Sequence, residues 1–169
     1  STNHVEVFVS DGIVEVSRGF DVVVRDVNPD FTITAGRTHL FAGTAGTLPI
    51  SLEASVDMTA TFRLDLDSDT SGADLSDMSL SPASGLFAGA SLTPAGPMSF
   101  VGQLMLASGA AAKGPQAAQL AFRAGTEIPS SLIYITLLDA FGTYGENLFS
   151  QPLLVGGRVA VINREPIIE

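Results

Sequence analysis

Apolar and polar residues alternate from the start of the chain. Val5, Val7 and Val9 fall on one side against Glu6 and Phe8, and after Asp11-Gly12 the pattern resumes with Val14 and Val16 against Glu15. A period of two places successive side chains on opposite faces of a strand. Asp-Gly between two such runs predicts a hairpin, because both central residues of a type I′ turn need positive φ. A third strand is expected from Phe20 to Val27, closing on Asp26-Val27-Asn28-Pro29-Asp30, where proline withdraws a ladder donor and the Asx residues favour a turn. The boundary is expected at about residues 28–32, with a three-stranded segment (residues 1–31) before it and a larger body (residues 32–169) after it.

The body continues in short strand-like runs: Thr32 to Thr34, Thr38 to Ala42, Thr47 to Ala54, Met58 to Asp67, Ser76 to Leu80, Ser99 to Ala107, Ala117 to Arg123, Leu132 to Leu138 and Leu153 to Asn163. Gly, Pro or Asp clusters separate them, as in sandwiches, and nothing alternates with helices in βαβ fashion. Ala107 to Gly125 is rich in alanine, but Gly109, Gly114 and Pro115 interrupt it and Gln119 to Arg123 alternates, so a loop and then a strand are expected. The expected fold class is all-β, a jelly-roll or Ig-like sandwich with an N-terminal three-stranded segment. Its inner faces are expected to hold Leu48, Ile50, Leu52, Phe62, Leu64, Leu104, Leu106, Leu120, Phe122, Ile133, Ile135, Leu137, Val159 and Val161.

Composition narrows the function. With 169 residues, 46% hydrophobic and 15% charged, the chain can bury a core and is too apolar for disorder. Eighteen Asp and Glu against eight Lys and Arg give −10, a charge that repels nucleic-acid backbones and anionic lipid, so nucleic acid is not an expected partner. No apolar run approaches the ~20 residues that span a bilayer, so membrane insertion is not expected. No leader sequence opens the chain at Ser1, which reads as a leader already removed or a start within a longer protein. The absence of cysteine removes disulfides, thiolate metal sites and cysteine nucleophiles together.

From Gly36 to Asn163 the chain resembles a cohesin-type jelly roll. Ala42-Gly43-Thr44-Ala45-Gly46-Thr47-Leu48-Pro49-Ile50-Ser51-Leu52 is similar to that family's glycine turn and "x-V-P-V-x-L" strand, and Ala60 to Asp67 to the long strand that follows. Ala117 to Gly125 resembles the "L-A-x-L-x-F" strand, and Leu138 to Gly142 with Gly156 to Val161 resembles the last two strands. Where the family often has "D-P-x-x-L", Asp67 to Leu75 reads Asp-Ser-Asp-Thr-Ser-Gly-Ala-Asp-Leu. Residues 5–31 resemble the last strands of bacterial cadherin-like or dystroglycan-type Ig modules, which close on "V-T-D-V-N-D-A-P", with Val9 to Ser17 and Phe20 to Asn28 carrying the likeness. Both resemblances imply an extracellular or cell-surface setting in bacteria or archaea. The second also implies calcium ligands at Asp26, Asn28 and Asp30, against which stands an ordinary Asx-rich turn ended by Pro29.

Calcium takes six to eight hard oxygens, so Asp65-x-Asp67-x-Asp69 is a second candidate metal site. The same spacing reads more readily as a solvated strand face running into a loop, beside Arg63, and the EF-hand pattern fails because Thr70 and Ser76 stand where glycine and glutamate belong. Catalytic machinery is sparse. His4 and His39 are the only histidines, and neither a nucleophile elbow nor a phosphate-binding loop occurs. Sugar platforms are built from aromatic faces, and the chain has no Trp. Tyr134 is expected in the core, and Tyr144, on an expected loop, is the one platform candidate.

The leading expectation is a non-catalytic extracellular module for protein–protein binding, adhesion or surface scaffolding. The alternatives are a self-assembling filament or surface-layer subunit joined by strand exchange with copies of itself, and third a glycan-binding module. Residues 1–30 are expected to pack on the body or on a neighbouring chain, since two or three strands are marginal alone in water.

Overall fold

Alternating burial along almost every strand builds two sheets that face one another. The computed structural model describes residues 2–10, 15–23, 28–70 and 74–163, and among them the only helical element is a short 3-10 turn, Ala111–Lys113. At the N-terminus β1 (Thr2–Ser10) pairs antiparallel with β2 (Glu15–Val23). Among the described residues two strands stand where three were expected, because Ser17-Arg18-Gly19 does not interrupt the ladder of β2. Among the described residues this pair extends neither sheet of the body. The Asp11-Gly12 turn and Asp26 lie outside the described residues.

The body comprises β3 (Phe31–Ala35), β4 (Arg37–Phe41), β5 (Ala45–Ala54), β6 (Thr59–Ser68), β7 (Leu75–Pro82), β8 (Phe87–Gly96), β9 (Ser99–Leu106), β10 (Gln116–Ala124), β11 (Ser131–Tyr144), β12 (Asn147–Phe149), β13 (Pro152–Val155) and β14 (Gly157–Ile162). One sheet has the order β13-β3-β5-β10-β7, and the other β4-β14-β11-β6-β9-β8 with β12 beside the far half of β11. Most neighbours are antiparallel; β13 with β3 and β14 with β4 are parallel. The inward residues form one core, and every residue expected on the inner faces is buried in it. Phe31, Ile33, Met58 and Phe87 join them.

Two glycine corners let the chain pass from one sheet to the other. β3 lies in the five-stranded sheet and β4, after Gly36, in the seven-stranded one; β13 and β14 make the same passage at Gly156. The two corners pack tightly. A Cβ on Gly157 would press into the Gly36 carbonyl and come 2.9 Å from the Ala35 Cβ, and one on Gly156 would come 2.7 Å from the Ile135 carbonyl oxygen. Arg158 N–H donates to the Gly36 carbonyl at 3.2 Å and Gly36 N–H to the Pro49 carbonyl at 2.8 Å, so the crossing backbone is satisfied.

Aspartates close the ends of the ladders. Asp30 N–H donates to the Gln151 carbonyl at 2.9 Å while Gln151 N–H donates to Asp30 Oδ2 at 3.1 Å, fixing the start of β3 to β13. Asp69 repeats the device past β6: its N–H donates to the Leu132 carbonyl at 3.1 Å, and Leu132 N–H donates to its Oδ1 at 2.9 Å. Asp57, between β5 and β6, accepts from Gly109 N–H at 2.6 Å and Ala111 N–H at 2.8 Å and so holds the alanine-rich loop expected from the sequence.

Candidate functional site

The two sheets turn very different surfaces to solvent. On the five-stranded sheet the outward positions of the central strands are Thr32 and Thr34 of β3, Pro49, Ser51 and Glu53 of β5, and Ala117, Gln119 and Ala121 of β10. These are small or polar, apart from Leu153 and Val155 on edge strand β13. On the seven-stranded sheet, Val101 and Met105 of β9 are 40% and 41% exposed, and Phe141 of β11 is 43% exposed.

Register arranges these side chains in rows. Met105 lies opposite Thr59, which lies opposite Thr143; Gln103, Thr61 and Phe141 form the next row, then Val101, Arg63 and Leu138, then Ser99, Asp65 and Thr136. Apolar anchors on β9 and β11 thus flank a polar strip on β6. Asp139 of β11 has φ 42°, and the bulge between Leu138 and Phe141 delivers the Phe141 ring to the outer face.

A hydrogen-bonded cluster stiffens the centre. The Ser99 hydroxyl donates to Asp65 Oδ1 at 2.7 Å, and Arg63 Nε donates to Asp65 Oδ1 at 3.1 Å and to Ser99 Oγ at 3.2 Å. The Ser99 hydroxyl, and after it Arg63, hold the Asp65 carboxyl below the ordinary carboxylate range. Ser99 is nearly buried, so the cluster has a fixed geometry instead of being a floating surface pair.

The residues expected to bind calcium are placed differently from one another. Asp65 is committed to Ser99 and Arg63, and Asp69 to the Leu132 amide and the Thr70 hydroxyl. Asp67 is exposed opposite Tyr134. Asp30 clamps Gln151, and Asn28 is exposed beside Pro29. Among the described residues no three His, Asp or Glu side chains converge as metal ligands would. Tyr134 is not in the core as expected: it points outward from β11 and is 42% exposed, because its neighbours Ile133 and Ile135 take the inward phase. Tyr144 is also exposed, but it ends β11 opposite Asn147 instead of lying on a loop. His39 is outward on edge strand β4, opposite Ala160.

No protein-family model matches the sequence, and no curated protein does. Solved structures match over most of the chain. The Coh-OlpC–Doc435 cohesin–dockerin complex from Clostridium thermocellum superposes with a TM-score of 0.60 at 12% identity, covering 85% of this chain and 100% of that one. The seventh ScaB type I cohesin from Pseudobacteroides cellulosolvens gives 0.59 at 14% identity, covering 82% and 96%. The fold is a cohesin-like jelly roll. A non-cellulosomal cohesin from the archaeon Archaeoglobus fulgidus shares it, with a TM-score of 0.55 at 13% identity over 79% and 91% of the two chains. At such identities the likeness is one of fold, and the cohesin-like body is the part that carries the outer face described above.

That face was not singled out by motif reasoning. The signal was present in β9, where Phe100 to Leu106 carries apolar residues in both phases: Leu104 and Leu106 point inward, Val101 and Met105 outward. A strand on a sheet with one wet face should carry apolar residues in one phase only.

Proposed function

We propose that this protein is a non-catalytic protein-binding module whose partner docks on the outer face of the seven-stranded sheet. One observation carries the reading: Val101, Met105 and Phe141 are held outward on rigid strands around the Arg63–Asp65–Ser99 cluster, while the central strands of the opposite sheet present small and polar side chains. Apolar anchors amid ordered polar groups are what a protein interface uses, the anchors excluding water and the polar groups fixing orientation. The cohesin-like fold supports the same reading, since several of the matching structures are cohesins solved in complex with dockerins. A secreted or cell-surface scaffold is the setting we propose, on the strength of the cohesin-type and cadherin-like sequence resemblances.

The test is affinity capture with a panel of dockerin modules and with the host's secreted and surface proteins, each binder then titrated in pure form. Val101→Asp and Met105→Asp should each weaken binding by at least about tenfold, because a charge is forced into the dry centre of the contact. Ala121→Asp on the other sheet should leave it unchanged. Binding that survives both β9 substitutions and fails with Ala121→Asp contradicts the proposal. Size-exclusion chromatography across a concentration series covers the self-assembling alternative: assembly lost in the same β9 variants would make the partner a second copy.

A further inference from the structure

Beyond the apolar anchors, the same face carries a pair of arginines that the fold of the sandwich does not account for. Arg37 opens β4 just after the Gly36 corner, Arg158 is the second residue of β14 just after Gly156-Gly157, and the parallel register sets them side by side. Like charges directly opposite on neighbouring strands weaken a sheet. Of the four arginines whose side chains are described, Arg63 pairs with Asp65 and Arg123 with Asp77, whereas Arg37 and Arg158 have no carboxylate partner among the described residues. Tyr134 lies opposite Arg158 on β11 and has Asp67 on its other side. With strands ~4.8 Å apart, Asp67 is two strands from Arg158, about 10 Å in backbone, and makes no ion pair with it. Among the described residues, two adjacent arginines thus stand without a paired carboxylate.

The pair borders a shallow cleft of about 290 Å3, lined also by Tyr134, Thr136, Gly156 and Gly157. The glycines, which the tight corner requires, leave the cleft floor without side chains. Two arginines, Tyr134 and Thr136 therefore line one small depression. We propose that this depression is a carboxylate subsite that receives the acidic side chains of a short segment of a protein partner. Guanidinium presents paired donors that match the two oxygens of a carboxylate, a match that lysine cannot make. The cleft is too small for a long ligand, and the net charge of −10 repels an extended polyanion while leaving local pairing with one or two carboxylates favourable. The assignment of a protein occupant rests on the proposed function, but the subsite and the apolar anchors can fail separately.

The experiment is an amide and aromatic NMR titration of the whole chain with a capped pentapeptide rich in aspartate and glutamate, run beside its asparagine/glutamine analogue, sodium sulfate and oligogalacturonate. The acidic peptide should shift the amides of Gly156 and Gly157 and the ring of Tyr134, with a dissociation constant on the order of 0.1–1 mM at low salt. Arg37→Gln and Arg158→Gln should each weaken it by about tenfold and the double variant abolish it. Their melting temperatures should match or exceed the parent's, because a like-charge pair has been removed, which separates loss of binding from loss of fold. Ala121→Asp on the opposite sheet should leave peptide binding intact, and because the titration uses the peptide alone, loss of partner capture with peptide binding retained reports on the proposed function alone. No response to the peptide, a response indifferent to both arginine substitutions, or a stronger response to sulfate or oligogalacturonate than to the peptide would overturn the subsite.

Discussion

Asp57 shows how a single carboxylate can hold a loop of irregular backbone. The Ala111 amide, and after it the Gly109 amide, lower its pKa below the ordinary aspartate value. A depressed carboxyl contributes stability that is present above the unfolded pKa and is lost as pH falls through the folded one. Asp57→Asn should therefore lower the melting temperature at neutral pH, and the gap between variant and parent should close in acid, below about pH 4. Thermal melts at neutral and acid pH check this; a gap constant across that range would show that the charge plays no part. At Asp65 the Ser99 hydroxyl and Arg63 both lower the pKa, so a carboxyl NMR titration should show an upward pKa shift in Ser99→Ala and in Arg63→Gln, and no shift in either would refute the cluster. Sequence spacing identified Asp65, Asp67 and Asp69 as a row on one strand face; Asp65 and Asp67 share the outer face of β6, and Asp69 lies just past its end. It could not show that Asp69 extends the ladder to Leu132, because that partner arrives from a distant part of the chain.

Among the elements, β9 and β6 depend on each other through one close contact. Gly102 lies opposite Phe62, and a Cβ there would sit 2.6 Å from Phe62 Cε2, inside the ring's own volume. Gly102→Ala should cost about 1–3 kcal/mol, as overpacking does, and lower the melting temperature by several degrees. In the Phe62→Leu background the same substitution should cost less, because the smaller side chain vacates that space; a double-mutant cycle measures the difference, and strict additivity would refute the contact. Strands with clean alternation, such as β5, β6 and β10, were legible in the sequence. β8 was not, since Gly89, Pro94 and Gly96 read as loop; it is an edge strand whose ladder with β9 shifts register at both Gly89 and Gly96. The run from Leu153 was expected as one strand and is two, because Gly156 carries the chain from one sheet to the other. β11 runs past its expected end at Leu138 because the backbone at Asp139 takes positive φ and the strand resumes beyond the bulge.

For the whole molecule, the alternating pattern determined a sandwich and its inner faces, since burial in a core is a property of each strand alone. Which outer face meets a partner depends on strand order, and strand order brings Val101, Arg63 and Leu138 into one row and Arg37 beside Arg158. Hydrogen–deuterium exchange on the purified complex with the captured partner tests the division of faces most directly. The account predicts slowed exchange in peptides of β6, β9 and β11 and at the β4–β14 corner, with β5 and β10 unchanged. Protection confined to β5 and β10, with β6 and β9 exchanging as in the free protein, would contradict it.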